Sequence, residues 1–283
     1  MNFKLLLKSV FLLLIMSGCS SEKSGWKSLF NGKDLTGWDT YLGPEYDTLL
    51  NKSGSIPVGL NTDPAKVFTV ADLNGEKVLR ISGENFGGIS TTSEFENYHL
   101  RMEFRWGELK WAPRKKEKKD SGLMYHAVGP HGADGGYWMR SHEFQIEEGD
   151  CGDYWACAGA VADVRAKKDL NNKYVYDESG ELTSFSTQSP AGRYCMKFPD
   201  AEKPSGEWNT LDLYCLGSTS IHVVNGVVVM VLHNSRQTEG TQDTPLTKGK
   251  IQIQSEGSEV YYRNIKICSI DKLPNDIKKE NMN

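Results

Sequence analysis

Short runs of alternating apolar and polar residues recur along this chain, each bounded by Gly, Asn, Asp or Pro. They fall at Val67–Val70, Val78–Ser82, Gly88–Thr91, His99–Trp106, Gly122–His126, Glu143–Glu147, Thr210–Leu216, Ser220–Val224, Val227–Leu232, Lys250–Gln254 and Val260–Ile267. A period of two sends successive side chains to opposite faces of a strand, and runs of about five to eight residues between turn residues predict antiparallel all-β architecture. Asn225-Gly226 between two Val-rich runs predicts a two-residue hairpin turn. Only Ala158–Lys168 carries a weakly helical pattern. With no long repeat and no clear linker, the expected fold is one β-sandwich of two antiparallel sheets with long inserted loops. Gly43–Pro64, rich in Gly, Pro, Asn and Ser, reads as a loop and a candidate lid. The charged segment ELKWAPRKKEKKD (108–120) reads as a solvated hairpin loop in preference to a basic flap.

The chain begins MNFKLLLKSVFLLLIMSGC. A basic start, an apolar run too short for the roughly 20 residues of a bilayer span, and small residues before Cys19 predict a secretory signal peptide. The small residues ahead of Cys19 resemble a bacterial lipobox, which makes Cys19 the expected lipidation site and residues 1–18 the leader. The expected organisation continues with a tether at 19–25, a single domain at 26–270 and a polar tail at 271–283. Lys4 and Lys8 leave with the leader, taking the net charge from −4 to −6. An acidic chain gains nothing from phosphate counterion release, so nucleic acid is excluded as a partner and a membrane is approached only through the N-terminal lipid. The expected location is the cell envelope, lipid-anchored on the periplasmic or outer surface, and the expected substrate is neutral or cationic. Export permits disulfides. Cys151, Cys157, Cys195, Cys215 and Cys268 are odd in number, so one thiol at least stays free, and Cys151 with Cys157 is the first pair to test.

Periodicity also sorts the polar groups. Arg101, Glu103 and Arg105 share one face of HLRMEFRW, with Leu100, Met102, Phe104 and Trp106 on the other. Glu143, Gln145 and Glu147 oppose Phe144 and Ile146, and Gln252, Gln254 and Glu256 oppose Ile251 and Ile253. Lys is nearly absent from these faces, which instead carry Glu, Gln, Arg and His, residues able to orient hydroxyl groups. A concave sheet bearing them, rimmed by Trp106, Trp111, Tyr137, Trp138, Tyr154 and Trp155, suits a sugar. Glu103, Arg105, Gln145, Trp138, Trp155 and Gln254 are therefore the candidate substrate-binding residues.

HEFQIEEGDCGDYW (142–155) concentrates carboxylates at one point and admits three chemistries. A retaining glycosidase would pair Glu143 with Glu147. Residues four apart on a flat strand lie ~13 Å apart, whereas such carboxylates need ~5 to 5.5 Å. A cation site would use Glu147, Asp150 and Asp153, whose strand-end and loop positions suit a divalent ion such as calcium, although no cofactor is required. A proton-abstracting site would use one base, Glu143, with His126 and Arg140 stabilising the developing enolate.

LFNGKDLTGW (29–38), SGLMYHAVGP (121–130), EFQIEEGDCGDYW (143–155), GEWNTLDLYC (206–215), VNGVVV (224–229) and YYRNIKI (261–267) resemble, in order, the bacterial 3-keto-disaccharide hydrolase domain. The resemblance implies a concanavalin A-like jelly roll, and cleavage of glycosides already oxidised at sugar C3. It places the family's acidic strand on Glu143 and Gln145 and its Ser-Gly strand on Ser121 to His126, where relatives commonly carry Arg at the last position. A 3-keto group acidifies the C2 hydrogen, so one base suffices and the two-glutamate spacing loses its importance. A non-catalytic carbohydrate-binding lipoprotein and a hydrolase of unoxidised glycans are the competing expectations.

Overall fold

The alternating runs become strands because each has one face that only an apolar partner can cover. The computed structural model describes residues 25–274, so the leader, Cys19, most of the tether and the end of the tail lie outside the described residues. The strands are β1 (Lys27–Ser28), β2 (Trp38–Asp47), β3 (Lys52–Leu60), β4 (Phe68–Leu73), β5 (Glu76–Ile81), β6 (Gly87–Thr91), β7 (Phe95–Glu96), β8 (Tyr98–Lys110), β9 (Asp120–Val128), β10 (Arg140–Glu147) and β11 (Tyr154–Cys157). They continue as β12 (Ala160–Lys168), β13 (Tyr174–Tyr176), β14 (Glu181–Phe185), β15 (Tyr194–Cys195), β16 (Asn209–Leu216), β17 (Thr219–Val224), β18 (Val227–Glu239), β19 (Gln242–Pro245), β20 (Lys248–Ser255) and β21 (Ser258–Ser269).

One sheet runs β13-β12-β18-β17-β16-β8-β21-β5-β4, with β1, β14 and β19 attached. The other runs β15-β11-β10-β9-β20-β6-β2-β3, with β7 attached. All ladders within them are antiparallel, and the architecture is a jelly-roll sandwich of two antiparallel sheets. Leu100, Met102, Phe104 and Trp106 of β8 meet Leu123, Phe144, Ile146, Ile251 and Ile253 of the facing sheet in one buried cluster. Phe144 also stacks at 4.1 Å on the buried ring of His222. Truncating it to Ala would cost on the order of 3–5 kcal/mol, because the facing sheets cannot close the gap.

The β17–β18 hairpin forms as expected. Asn225 and Gly226 take φ of 51° and 84°, the left-handed pair that a two-residue turn requires, and Val224 pairs with Val227. Three expectations are corrected. Ala158–Lys168 is mostly strand: Ala162, Val164 and Ala166 form a period-two set buried against Phe185 and Leu232, and this packing overrides the helical preference of alanine. Gly43–Pro64 is not a loop but the β2–β3 hairpin at a sheet edge, held to the 130–138 segment by a 2.7 Å bond from the Tyr137 hydroxyl to Ser53 Oγ. Ser53, Gly54, Ser55, Pro57 and Gly59 lie in mostly exposed β3, where only Val58 packs against the core and apolar alternation is not demanded. Cys151 and Cys157 are both buried free thiols, Cys151 packed in the main core and Cys157 turned elsewhere.

Candidate functional site

The polar face of the β10-β9-β20-β6 ladder is the floor of a cavity of about 270 Å³. Cross-strand register puts Glu143 beside Met124 and Met124 beside Gln252, while Gln145 faces Gly122 and Glu147 faces Asp120. Gly122 is bare for a steric reason: a Cβ there would stand 2.3 Å from Glu143 Oε1 and 2.6 Å from Gln254 Oε1. The two side chains lean over this glycine from the strands on either side of it. Gly88 on β6 makes the same room for Gln252, whose side chain a Cβ would meet at 2.8 Å. Trp138 and Trp155 stand at the sides, Trp138 stacked on Phe86 and Trp155 against Tyr194. A wider hollow of about 600 Å³ on the β2–β3 hairpin is lined by Glu45, Asp47 and Ile56 among others, with both carboxylates exposed.

Charge is distributed unevenly in the cavity. Asp120, Glu143, Glu147 and Glu256 line it, facing the guanidinium groups of Arg114 and Arg193. Arg114 Nη2 lies 2.5 Å from Asp120 and 2.9 Å from Glu147, and Nη1 lies 3.6 Å from Glu256. Arg193 grips Asp134 with two bonds of 3.0 and 3.1 Å and lies over the Trp155 ring. Burial and then the neighbouring Asp120 charge push the Glu143 carboxyl up to about 8. Its Oε2 accepts a weak bond from the Cys157 thiol at 3.5 Å. Glu256 is likewise pushed up to about 8, by burial and then by Glu143. Burial, then Glu256, raises Asp120 against the opposing pull of Arg114. At neutral pH Glu143 and Glu256 therefore retain protons.

The polar groups of the floor are incompletely paired. Gln145 Nε2 donates to Asp120 at 3.2 Å, yet the acceptors Gln145 Oε1 and Gln254 Oε1 and the donors Gln252 Nε2 and Arg114 Nε are buried with no hydrogen-bond partner among the described residues. Buried polar atoms without partners cost roughly 1–3 kcal/mol each, so this floor is built for a ligand that both donates and accepts, as hydroxyl groups do.

A sequence model described as the 3-keto-alpha-glucoside-1,2-lyase-like domain matches residues 25–268. The chain belongs to that family. A provisionally named glycosyl hydrolase from Parabacteroides distasonis is similar at 20% identity, over 87% of this lyase-like chain and 94% of that one, with a TM-score of 0.47. A carbohydrate-binding module from Bacillus subtilis shares 10% identity over 71% and 92% of the two chains, TM-score 0.42. LamA of Zobellia galactanivorans, in complex with laminaritriose and laminaritetraose, shares 12% identity over 82% and 92%, TM-score 0.39. No curated protein matches the sequence.

Of the residues expected at the site of this lyase-like domain, Glu143, Gln145, Glu147, Trp138, Trp155 and Gln254 line the cavity. His126 does not. A register shift beside it and a φ of 51° turn its ring inward, where it is fully buried against Tyr98, Tyr125 and His142. Burial drives its pKa down to about 4, so it is neutral. Arg140 is also elsewhere, tied to Ala158 O at 2.7 Å, Gln237 at 3.0 Å and Glu239 at 2.6 Å. Glu103 and Arg105 belong to β8 in the opposite sheet, Glu103 accepting from Arg263 at 2.7 Å. Trp106 and Tyr154 are buried core residues and not rim. Trp111 spends its indole N–H on Ser82 O at 3.0 Å.

Glu147, Asp150 and Asp153 do not converge as ligands. Glu147 faces Arg114, Asp150 faces Lys118, and Asp153 accepts from the Tyr194 hydroxyl and, at 2.8 Å, from the Lys197 backbone N–H. Burial raises Asp153 to about 6. Among the described residues no group of three His, Cys, Asp or Glu is placed to hold a metal ion. The residues present do not fit a cation at that loop.

Sequence reasoning missed Arg114, Arg193 and Asp120, and put Glu256 on the polar face without naming it as a site residue. Arg114 comes from the charged loop read as solvated, whose one arginine among lysines was the available signal. Arg193 sits in an irregular stretch with no pattern to mark it. Asp120 and Glu256 flank the ends of periodic runs, where alternation loses its authority.

Proposed function

We propose that this domain cleaves 3-keto-glycosides by elimination, with Glu143 as the base that removes the C2 proton. The observation that carries this reading is a fully shielded carboxyl standing beside two buried amide oxygens that lack donors. Sugar hydroxyls supply those donors, and the faces of Trp138 and Trp155 suit the apolar faces of a pyranose. A C2–H next to a ketone is a weak acid, and a base held near pH 8 takes its proton more readily than a carboxylate of ordinary strength. As the proton leaves, negative charge develops on the C3 oxygen. Arg193, fixed by Asp134 and laid over Trp155, is the cation available to meet it, and takes the role that sequence reasoning assigned to His126 and Arg140. The enolate then re-forms the ketone and expels the C1 substituent, and water adds at C1. No glycosyl-enzyme bond is needed. The displacement alternative is disfavoured by Glu147, which stands at the strand end in an ion pair with Arg114.

The test is hydrogen exchange at C2 of a 3-keto-glucoside, followed by NMR in deuterated water. Wild type is expected to exchange and cleave, and Glu143→Gln to do neither. Equal exchange and cleavage by both proteins would refute the role of Glu143. Tight binding of unoxidised oligosaccharide without turnover of any keto-sugar would identify a binding module instead.

A further inference from the structure

We propose that Glu256 is the proton donor to the leaving oxygen at C1, forming with Glu143 a base and acid pair across the cavity. This rests on the elimination reading of the site. An alkoxide is a poor leaving group, so a base alone leaves the second half of the reaction unassisted. The geometry distinguishes Glu256 from the other carboxyls. Asp120 is engaged by Arg114 at 2.5 Å and by Gln145 at 3.2 Å, Glu147 by Arg114 at 2.9 Å, and Glu143 by the Cys157 thiol. Glu256 meets Arg114 only at 3.6 Å and makes no hydrogen bond among the described residues, although its side chain is 14% exposed. It is therefore the carboxyl with a proton to give and no internal acceptor for it.

Its position is also fixed. Glu256 follows the last residue of β20, and the next residue, Gly257, has φ of 77°. The Gly257 N–H donates to Gly83 O at 2.9 Å, and its carbonyl accepts from the Trp111 N–H at 2.8 Å. A Cβ at Gly257 would approach Arg114 Cβ at 3.0 Å. The turn thus holds Glu256 and Arg114 in register with each other. Burial and the Glu143 charge keep the Glu256 carboxyl protonated up to about 8.

The steps balance. Glu143 takes the C2 proton, and the C2–H electron pair enters the C2–C3 enolate. That pair then moves to form the C1–C2 double bond as the C1–O bond breaks, and the departing oxygen takes the Glu256 proton. The glycone is left as a 1,2-unsaturated 3-ketone. Water then attacks C1, giving its proton to ionised Glu256, while Glu143 returns a proton to C2. Both residues end in their starting states.

The experiment compares methyl and 4-nitrophenyl 3-keto-glucosides, alike except in how much the leaving oxygen needs a proton. Glu256→Gln is expected to slow the methyl substrate by a hundredfold or more and the 4-nitrophenyl substrate by less than about fivefold, with C2 exchange retained on both. Glu256→Ala with added formate is the second arm: formate should restore cleavage of the methyl substrate. Equal slowing of both substrates, or absence of formate rescue, overturns the proposal. Glu143→Gln, in contrast, should slow both alike and abolish exchange. If exchange survives in that variant, the base assignment fails independently of Glu256.

Discussion

Strands β8 and β10 read alike in sequence and serve opposite ends. Each alternates apolar residues with charged or amide ones, and each buries its apolar set in the same core. On β8 two of the three polar residues are paired off: Glu103 with Arg263 at 2.7 Å and Asn264 at 2.9 Å, Arg101 with Asp212 at 2.6 Å. On β10 Glu143 and Gln145 are each only 5% exposed, and Gln145 Oε1 and the neighbouring Gln254 Oε1 have no donor among the described residues. Alternation alone does not separate a wet face from a site. What separates them is whether burial is accompanied by partners, since an unpartnered buried acceptor persists only where something else compensates its cost.

The comparison can be broken most directly at its two glutamates. Glu143→Gln is expected to lower kcat/KM on a 3-keto-glucoside by on the order of 10²–10⁴, whereas Glu103→Gln should leave it within about twofold. Steady-state kinetics on the two purified variants decides this. Next in size is Gly122→Ala. Its methyl displaces Glu143 and Gln254 together, and a shift of roughly 1 Å in a catalytic group costs about a hundredfold in kcat, so turnover should collapse while the β-sheet circular dichroism spectrum is kept. Gln254→Leu should raise KM by about tenfold and at the same time leave the thermal midpoint unchanged or higher, because it removes a buried acceptor without a donor. A fall in both affinity and stability would place Gln254 with the paired groups of β8.

The pH dependence sharpens the same contrast. Glu143 faces Asp120 from β9, Cys157 from β11, and Arg193, Asp134 and Glu256 from the surrounding loops. Its folded value lies above its ordinary 4.5, so the stability it contributes is complete below about 4.5 and is lost as pH rises through about 8. Glu143→Gln should therefore flatten the fall of the melting temperature between those limits. Activity should rise toward about 8 as the base ionises and fall above it as Glu256 loses its proton, giving a maximum near 8. The smallest effect is expected at Arg263→Ala, worth about 0.5–1 kcal/mol of stability for a partly exposed pair and no change in turnover, checked by urea melts.

Most of the sandwich was legible because strand periodicity is set locally, as in β8, β10, β17 and β20. The floor residues Glu143, Gln145 and Gln254 could be placed on one face for the same reason. Elements with weak apolar demand were not legible: β3, exposed along most of its length, looked like loop, and alanine-rich β12 looked like helix. His126 was misplaced because a single residue of positive φ reverses the facing that alternation assigns. Arg193 was invisible because its partner is distant in sequence, Asp134 lying 59 positions away, and Arg114 because it sits among lysines in a charged segment that reads as solvated. The resemblance to the keto-disaccharide hydrolase domain supplied the chemistry that periodicity could not.

The origin of Arg114 has a consequence for how such a site can diversify. The carboxyl floor is anchored in ladders that a change of register would destroy, but one of the two guanidinium groups that temper it, Arg114, is carried by the segment between β8 and β9. That segment can be exchanged, lengthened or stripped of its arginine without disturbing a single rung. Acidity of the floor is thus adjustable from outside the scaffold, and relatives with the same sheet need share neither working pH nor preferred leaving group.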